Sequence, residues 1–487
     1  MSYYHGIRVS EDPTSVAIPK YGNSALQVVF GTSPVNMAED PGKAVNKLIL
    51  ANTFAEAKAA LGYCEDFENY TLCQVMRSAF IEYGVGPVIF CNVMNPSSTS
   101  HKEALSEAAY DVTNRQAVVN VFGVILENLI VKNGASTLTK DTDYITSFDE
   151  NGYLVLTFIS EDTESLSSVT VSGNKLKPSG VTETDVIGGR NASTGVETGI
   201  ALVRQVYPQF GVTAALLLAP KWSEKTAVAN ALIAMTENIN GDFSALAIVD
   251  MDSTSATGST KYTDVPTAKQ NAGYKSKNLN LLWPKVKLPS DGKIVSYSAM
   301  YAACIAYTDI NNDNVPNLSP SNKELRISGT CLADGTDVYL DKEQANTLNA
   351  NGIVTAINYA GWKTWGNNTA AYPENTDPKD RWTACRRFFI WWENDFIVQY
   401  AKNVDDPTNT RLVQALVISE NIRGNSIVAQ GKCAGIRMEY IPDENPIERI
   451  LDGHVKFRTH LAPYTPAEDI LNVFEFDPQA IADALSM

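Results

Sequence analysis

Uninterrupted apolar runs, not alternating ones, mark the first strands of this chain. "ALQVVFGTSP" (25–34) and "PVIFCNVMNP" (87–96) are apolar on both faces, which predicts fully buried strands. Between them, "LCQVMRSAFIEYG" (72–84) places Leu72, Val75, Met76, Ala79, Phe80 and Tyr83 on one helical face. From about residue 100 to 190 the pattern changes to short alternating runs rich in Thr, Ser, Val and Asp. Asn151-Gly152 lies between two of these runs and predicts a hairpin. The strand and helix alternation then resumes. "TGVETGIALVRQVY" and "SEKTAVANALIAMTENIN" read as helices, the second with Val228, Leu232, Met235 and Ile239 facing inward. "VTAALLLAP", "SALAIVDMD" and "NLNLLWP" read as buried strands, and "VSYSAMYAACIAYTDI" as a core helix.

A third pattern begins near residue 356. Two long helices are expected, over 377–403 with Asp377 or Asp380 as cap and over 407–431 with Pro407 in its first turn. Three strand candidates follow: "CAGIRMEYIP", "HVKFRTHLAP" and "DILNVFEFDP". The predicted fold class is therefore mixed α/β and α+β, in several domains. An extended N-terminal arm covers 1–22. A layered α/β core is split into 23–98 and 190–355, with an inserted β-rich domain at 99–189. A C-terminal α+β domain covers 356–487 and ends in an arm from about 462.

The two ends carry the clearest interaction signal. In "HVKFRTHLAP", Val455, Phe457, Thr459 and Leu461 share one side of a strand. "ILNVFEF" is apolar on both faces, with Leu471, Val473, Phe474 and Phe476, and lies close to the end of the chain. Such a strand must either pack inside its own domain or join another chain's sheet by strand addition. The N-terminal arm, with Tyr4, Gly6, Ile7 and Val9, offers the same possibility.

Of the 487 residues, 44% are apolar and 19% charged, with a net charge of −16. That acidity disfavours nucleic acid and anionic membrane as partners. No apolar run is long enough to cross a bilayer, and no secretory leader is expected. The seven cysteines form no CxxC pair and read as free thiols.

Candidate chemistry is sparse, and no cofactor or metal is expected. "IVDMDST" resembles the first motif of haloacid-dehalogenase-type phosphatases, with Asp250 as nucleophile and Asp252 as acid/base. It is the alternative reading to a structural protein. "DINNDNVPNLSP" spaces Asp309, Asn311 and Asp313 like a calcium loop but lacks the central glycine and the final glutamate. The four histidines make no HExxH, and neither a phosphate loop nor a GxSxG is present. Arg381, Arg386 and Arg387 form a basic cluster beside Trp391 and Trp392, expected as a solvated helical face or a dock for an acidic partner. "NYAGWKTWGNNTAAYP" (358–373) supplies Gly361 and Gly366 for tight turns that Trp362 and Trp365 can anchor. It is expected as a stiff junction between core and C-terminal domain, with a sugar platform as the lesser reading.

Together these segments resemble the tail sheath proteins of contractile phage tails and phage-tail-like particles. The resemblance rests on "YYHGIRVSE", "VVFGTSP", "NLNLLWPKVK", "DNVPNLSPSNKELR", "NANGIVTAINYAGWKTWGNNTAAYP" and "RRFFIWWENDF", in that order. It implies a structural subunit rather than an enzyme. Such a subunit polymerises helically around an inner tail tube protein, meets baseplate and tail terminator proteins, and exchanges strands through both arms. It also implies assembly in the host bacterial cytoplasm into a virion tail or tail-like particle, with Arg381, Arg386 and Arg387 as candidate tube contacts.

Overall fold

The computed structural model describes residues 24–486. Its centre is an eight-stranded sheet. The strands are β1 (Gln27–Gly31), β2 (Leu48–Ala51), β3 (Val88–Asn92), β4 (Leu216–Leu218), β5 (Leu246–Asp250), β6 (Leu279–Leu282), β7 (Ile353–Asn358) and β8 (Trp362–Trp365), in the spatial order 2-3-1-4-5-6-7-8. The six central strands are parallel, and β2 and β8 close the two edges antiparallel. Central strands covered on both faces must be apolar on both, which is what the uninterrupted runs encode: β1, β3, β4, β5 and β6 are buried at every residue. Helix α1 (Tyr297–Ile310) lies in the interior, with Tyr297 and Tyr301 fully buried.

Several expected helices differ in form. The 72–84 segment begins as an α-helix, Leu72–Val75, and continues as a π-helix, Met76–Tyr83, ending at Gly84 in the left-handed region. The 194–207 helix is a 3-10 helix, Gly199–Gln205, running into a short α-helix, Val206–Phe210. The 223–240 helix covers only Thr226–Ala234, with Val228 and Leu232 fully buried.

The inserted segment forms two antiparallel sheets around a core of its own, including Val119, Val131, Leu154, Leu156, Phe158 and Val171. The Asn151-Gly152 hairpin joins Tyr144–Phe148 to Tyr153–Phe158. Asp149 Oδ1 accepts the N–H groups of Asn151 and Tyr153 there, and Gly152 adopts φ +78°.

The 358–373 stretch is more than a junction. Trp362–Trp365 is itself the edge strand β8, so the main sheet runs past the expected core boundary at 355. Gly361 at φ +105° turns the hairpin and Gly366 at φ +140° leaves it. Trp362 donates its indole N–H to Ser328 O at 3.1 Å, and both tryptophans are half-buried.

In the C-terminal part, Pro378–Arg381 and α2 (Thr383–Tyr400) are separated by Trp382, whose extended backbone breaks the expected single helix. Asp377 caps the first by accepting from Lys379 N. Helix α3 (Thr410–Ala429) starts later than Pro407 predicts, capped by Asn409 on Leu412 N. Phe388, Trp391, Trp392, Ile427 and Ile436 form a small separate core. The two strands β9 (Gly435–Tyr440) and β10 (Phe457–Ala462) pair antiparallel beside it. The third candidate strand, 469–478, pairs with no strand among the described residues. It runs extended to a short helix, α4 (Pro478–Leu485).

Candidate assembly site

The β9–β10 hairpin has one closed edge and one open edge. On the β9 side, α3 lies close enough that a Cβ on Gly424 would come within 2.9 Å of Ile436 Cβ, so glycine permits the approach. From the same helix Asn421 donates to Met438 O at 2.9 Å and accepts Met438 N–H at 2.8 Å, taking both main-chain groups of that residue. In an antiparallel ladder, residues whose main-chain groups point away from the partner strand face each other. Met438 faces Thr459, so the N–H and C=O of Thr459 also point outward, as do those of Phe457 and Leu461 two residues to either side. The outer edge of β10 therefore carries a donor and acceptor row at these three positions that meets no strand among the described residues. Of the side chains expected on one side of this strand, Val455 precedes it, Val455, Phe457 and Leu461 are half-buried, and Thr459 is exposed.

The tail that follows leaves its apolar side chains in water. Ile470, Leu471, Val473, Phe474 and Phe476 are between 74% and 88% exposed. Of the two fates open to a strand apolar on both faces, packing within its own domain is not seen among the described residues. Tyr4, Gly6, Ile7 and Val9 lie outside the described residues.

The basic cluster is corrected by the structure. Arg386 and Arg387 are 5% and 4% exposed and are not a solvated face. Arg386 donates to Asn278 Oδ1 at 2.7 Å, with Asp380 and Glu393 each 3.8 Å away. Arg387 ion-pairs with the fully buried Asp309 and donates to Ser24 O at 3.2 Å. Guanidiniums already committed to interior carboxylates are not available to a second protein, which leaves Arg381 as the half-exposed member. This pairing also removes the calcium-loop reading: Asp309 points inward, and Asp313 holds Lys432 at 2.7 Å.

The phosphatase motif sits at the carboxyl end of β5, where α/β sheets commonly bind ligands, beside a crevice of about 870 Å³. Its chemistry is internal. Asp250 is buried, accepts the N–H of Ser298 at 2.8 Å and the Ser298 hydroxyl, and cannot reach a substrate. Asp252 is spent on its own loop, accepting from Thr254 N at 2.8 Å and from Thr257 Oγ1 at 2.6 Å.

At the crevice floor Lys285 ion-pairs with Glu224. Burial raises the Glu224 carboxyl from its ordinary 4.5 to about 7, against the pull of Lys285. The folded chain then binds this proton more tightly than the unfolded one, so this group's contribution to stability falls as pH rises from about 4.5 to about 7. Glu224→Gln is expected to flatten the urea-midpoint profile across that window; an unchanged slope contradicts the assignment.

No protein-family model matches the chain. Two curated relatives do. The tail sheath protein of Burkholderia phage BcepMu is 25% identical over 467 residues, covering 93% of this chain and 92% of its own. The putative prophage major tail sheath protein of Pseudomonas aeruginosa strain UCBPP-PA14 is 27% identical over 295 residues, covering 58% and 70%. Among solved structures, a chain of the PVC sheath complex of an extracellular contractile injection system, in its contracted state, superposes with a TM-score of 0.58. It is 14% identical and covers 99% of each chain. The chain is thus similar in sequence along nearly its whole length to a phage tail sheath protein, and it shares the fold of a subunit of a contractile sheath complex.

Proposed function

We propose that this chain is the structural subunit of a contractile tail sheath, polymerising helically around an inner tube in an extended, metastable form and contracting to drive the tube through a cell envelope. The observation that carries the reading is the presence, among the described residues, of an open strand edge at Phe457, Thr459 and Leu461 together with an exposed apolar tail. The tail of one copy completes the sheet of the next. Burial of each large tail side chain contributes about 1.5–3 kcal/mol gross, and each main-chain hydrogen bond about 0.5–1.5 kcal/mol net. A head-to-tail contact of this kind does not close and so builds a helix. The nine residues 469–477 span about 30 Å when extended, enough for bodies to rotate past each other while the sheets stay linked.

The partners of this reading are further copies of the chain, the tube protein, and the baseplate and terminator proteins at the two ends of the tail. Assembly takes place in the host bacterial cytoplasm, and no catalytic step is involved. Negative-stain microscopy of the purified full-length chain, across a concentration series, tests it. Ordered tubes are expected. Compact monomers at every concentration would overturn the reading.

A further inference from the structure

The structure brings both ends of the folded body onto one short stretch of chain. Arg387, on the first turns of α2, reaches Ser24 O, and its partner Asp309 accepts the Ser24 hydroxyl at 2.6 Å. Ser24 is the first described residue, three residues before β1. Six residues before Arg387, Arg381 reaches the other end. Its guanidinium lies 3.2 Å from Glu468 Oε2, and Asn367 donates to Glu468 Oε1 at 3.3 Å. Arg381 is itself held in place. It donates to Asn368 Oδ1 at 2.8 Å, and its guanidinium lies 4.2 Å and 4.0 Å from the ring centres of Tyr372 and Trp382. Cys385, between the two arginines, donates its thiol to Tyr464 O at 3.7 Å. Among the described residues, Glu468 makes the last hydrogen bonds that the tail shares with the body, and from Ala467 onward every described residue is exposed. Arg386 ties the same stretch to the core through Asn278.

We infer that residues 381–387 are the common anchor of Ser24 and of the C-terminal tail. Arg387 seats Ser24, and Arg381 clips the tail where it leaves the body. The arginines are positioning residues: Arg381 fixes the direction in which the tail departs and Arg387 fixes Ser24, from two consecutive helices that meet at Trp382. A pull on the tail then acts on the same short stretch that holds Ser24, so the links of a lattice keep their geometry while bodies turn. This rests on the sheath reading and adds to it a residue-level device for Arg381 and Arg387, other than contact with the tube.

The test uses the full chain carrying Arg381→Glu, Glu468→Arg, or both. Each single reversal is expected to lower the yield of ordered polymer about tenfold, and the double reversal to restore it to within about twofold, since a pair acting through one contact is coupled. Unchanged melting temperatures keep folding out of the comparison. Single reversals that polymerise like the parent, or a double reversal that rescues nothing, overturn the inference.

A second measurement needs no polymer. Spin labels, introduced as unnatural amino acids at Phe474 and Lys402, report how tightly the tail direction is held. Arg381→Ala should broaden the distance distribution severalfold, and Glu468→Gln should do the same. Distributions of parental width would overturn the inference. A parent chain that never polymerises removes the sheath reading alone, since the label measurement still reads the clip.

Discussion

Removing residues 469–487 abolishes polymerisation and leaves the melting temperature of the folded body unchanged. The expectation follows from where the tail's contacts lie. Its five large apolar side chains, from Ile470 to Phe476, touch little of their own protomer, so their loss costs the monomer almost nothing. In the lattice the same side chains are the ones to be buried, and deleting them forfeits about 1.5–3 kcal/mol apiece. A substitution on the receiving strand should act in the same way. Thr459→Pro removes an outward-facing N–H from the open edge of β10 and places a ring where an incoming strand must lie. Sedimentation and negative-stain microscopy read the polymer, and calorimetry reads the body. A truncated chain that assembles as well as the full one would show that the linking contacts lie elsewhere.

The second large effect is on folding. Asp309→Ala leaves the Arg387 guanidinium charged in the interior, with Ser24 O as its remaining partner. Breaking a buried pair by removing one member typically costs about 3–5 kcal/mol, because the surviving charge keeps its desolvation penalty. Arg387→Met should cost a similar amount by stranding the carboxylate, while Asp309→Leu combined with Arg387→Met should cost less than either single change. Urea denaturation of the three variants gives the comparison. Single variants within about 0.5 kcal/mol of the parent, the range of an ordinary surface substitution, would mean that the pair is solvated.

The layered α/β core was legible because burial on both faces of a parallel strand forces an uninterrupted apolar run. "VVFG", "VIFCN", "LLL" and "LAIVD" each satisfy that demand. The two antiparallel sheets between residues 102 and 176 were legible from their opposite habit, alternation and an Asn-Gly turn. Less could be read at helix ends. Nothing local in 72–84 announces a π-helix, and Trp382 breaks the helix expected over 377–403 although no proline or glycine stands there. The assembly site divides along the same line. The tail's apolar residues could be named in advance because apolarity on both faces and position are properties of the string, while whether their own domain covers them is not. Asn421 and Gly424 could not, because a lone polar residue or a glycine inside a helical run says nothing about the strand it will meet.

The arginines show the difference at its sharpest. As a string, Arg381, Arg386 and Arg387 are a basic patch beside two tryptophans, and a patch suggests an outside partner. The fold brings Asp309 from 78 positions upstream and Glu468 from 87 positions downstream, and the cluster becomes an interior fastening. Sequence alone determined which segments demand burial, the tail among them, since hydrophobic periodicity is local and the cost of exposing an apolar side chain does not depend on its distant neighbours. Only the tertiary structure decided which charges meet, which edge of the hairpin stays open and where the tail is clipped. Those depend on groups far apart along the chain, whose attraction has effect only once folding has brought them within a few ångströms and excluded the water between them.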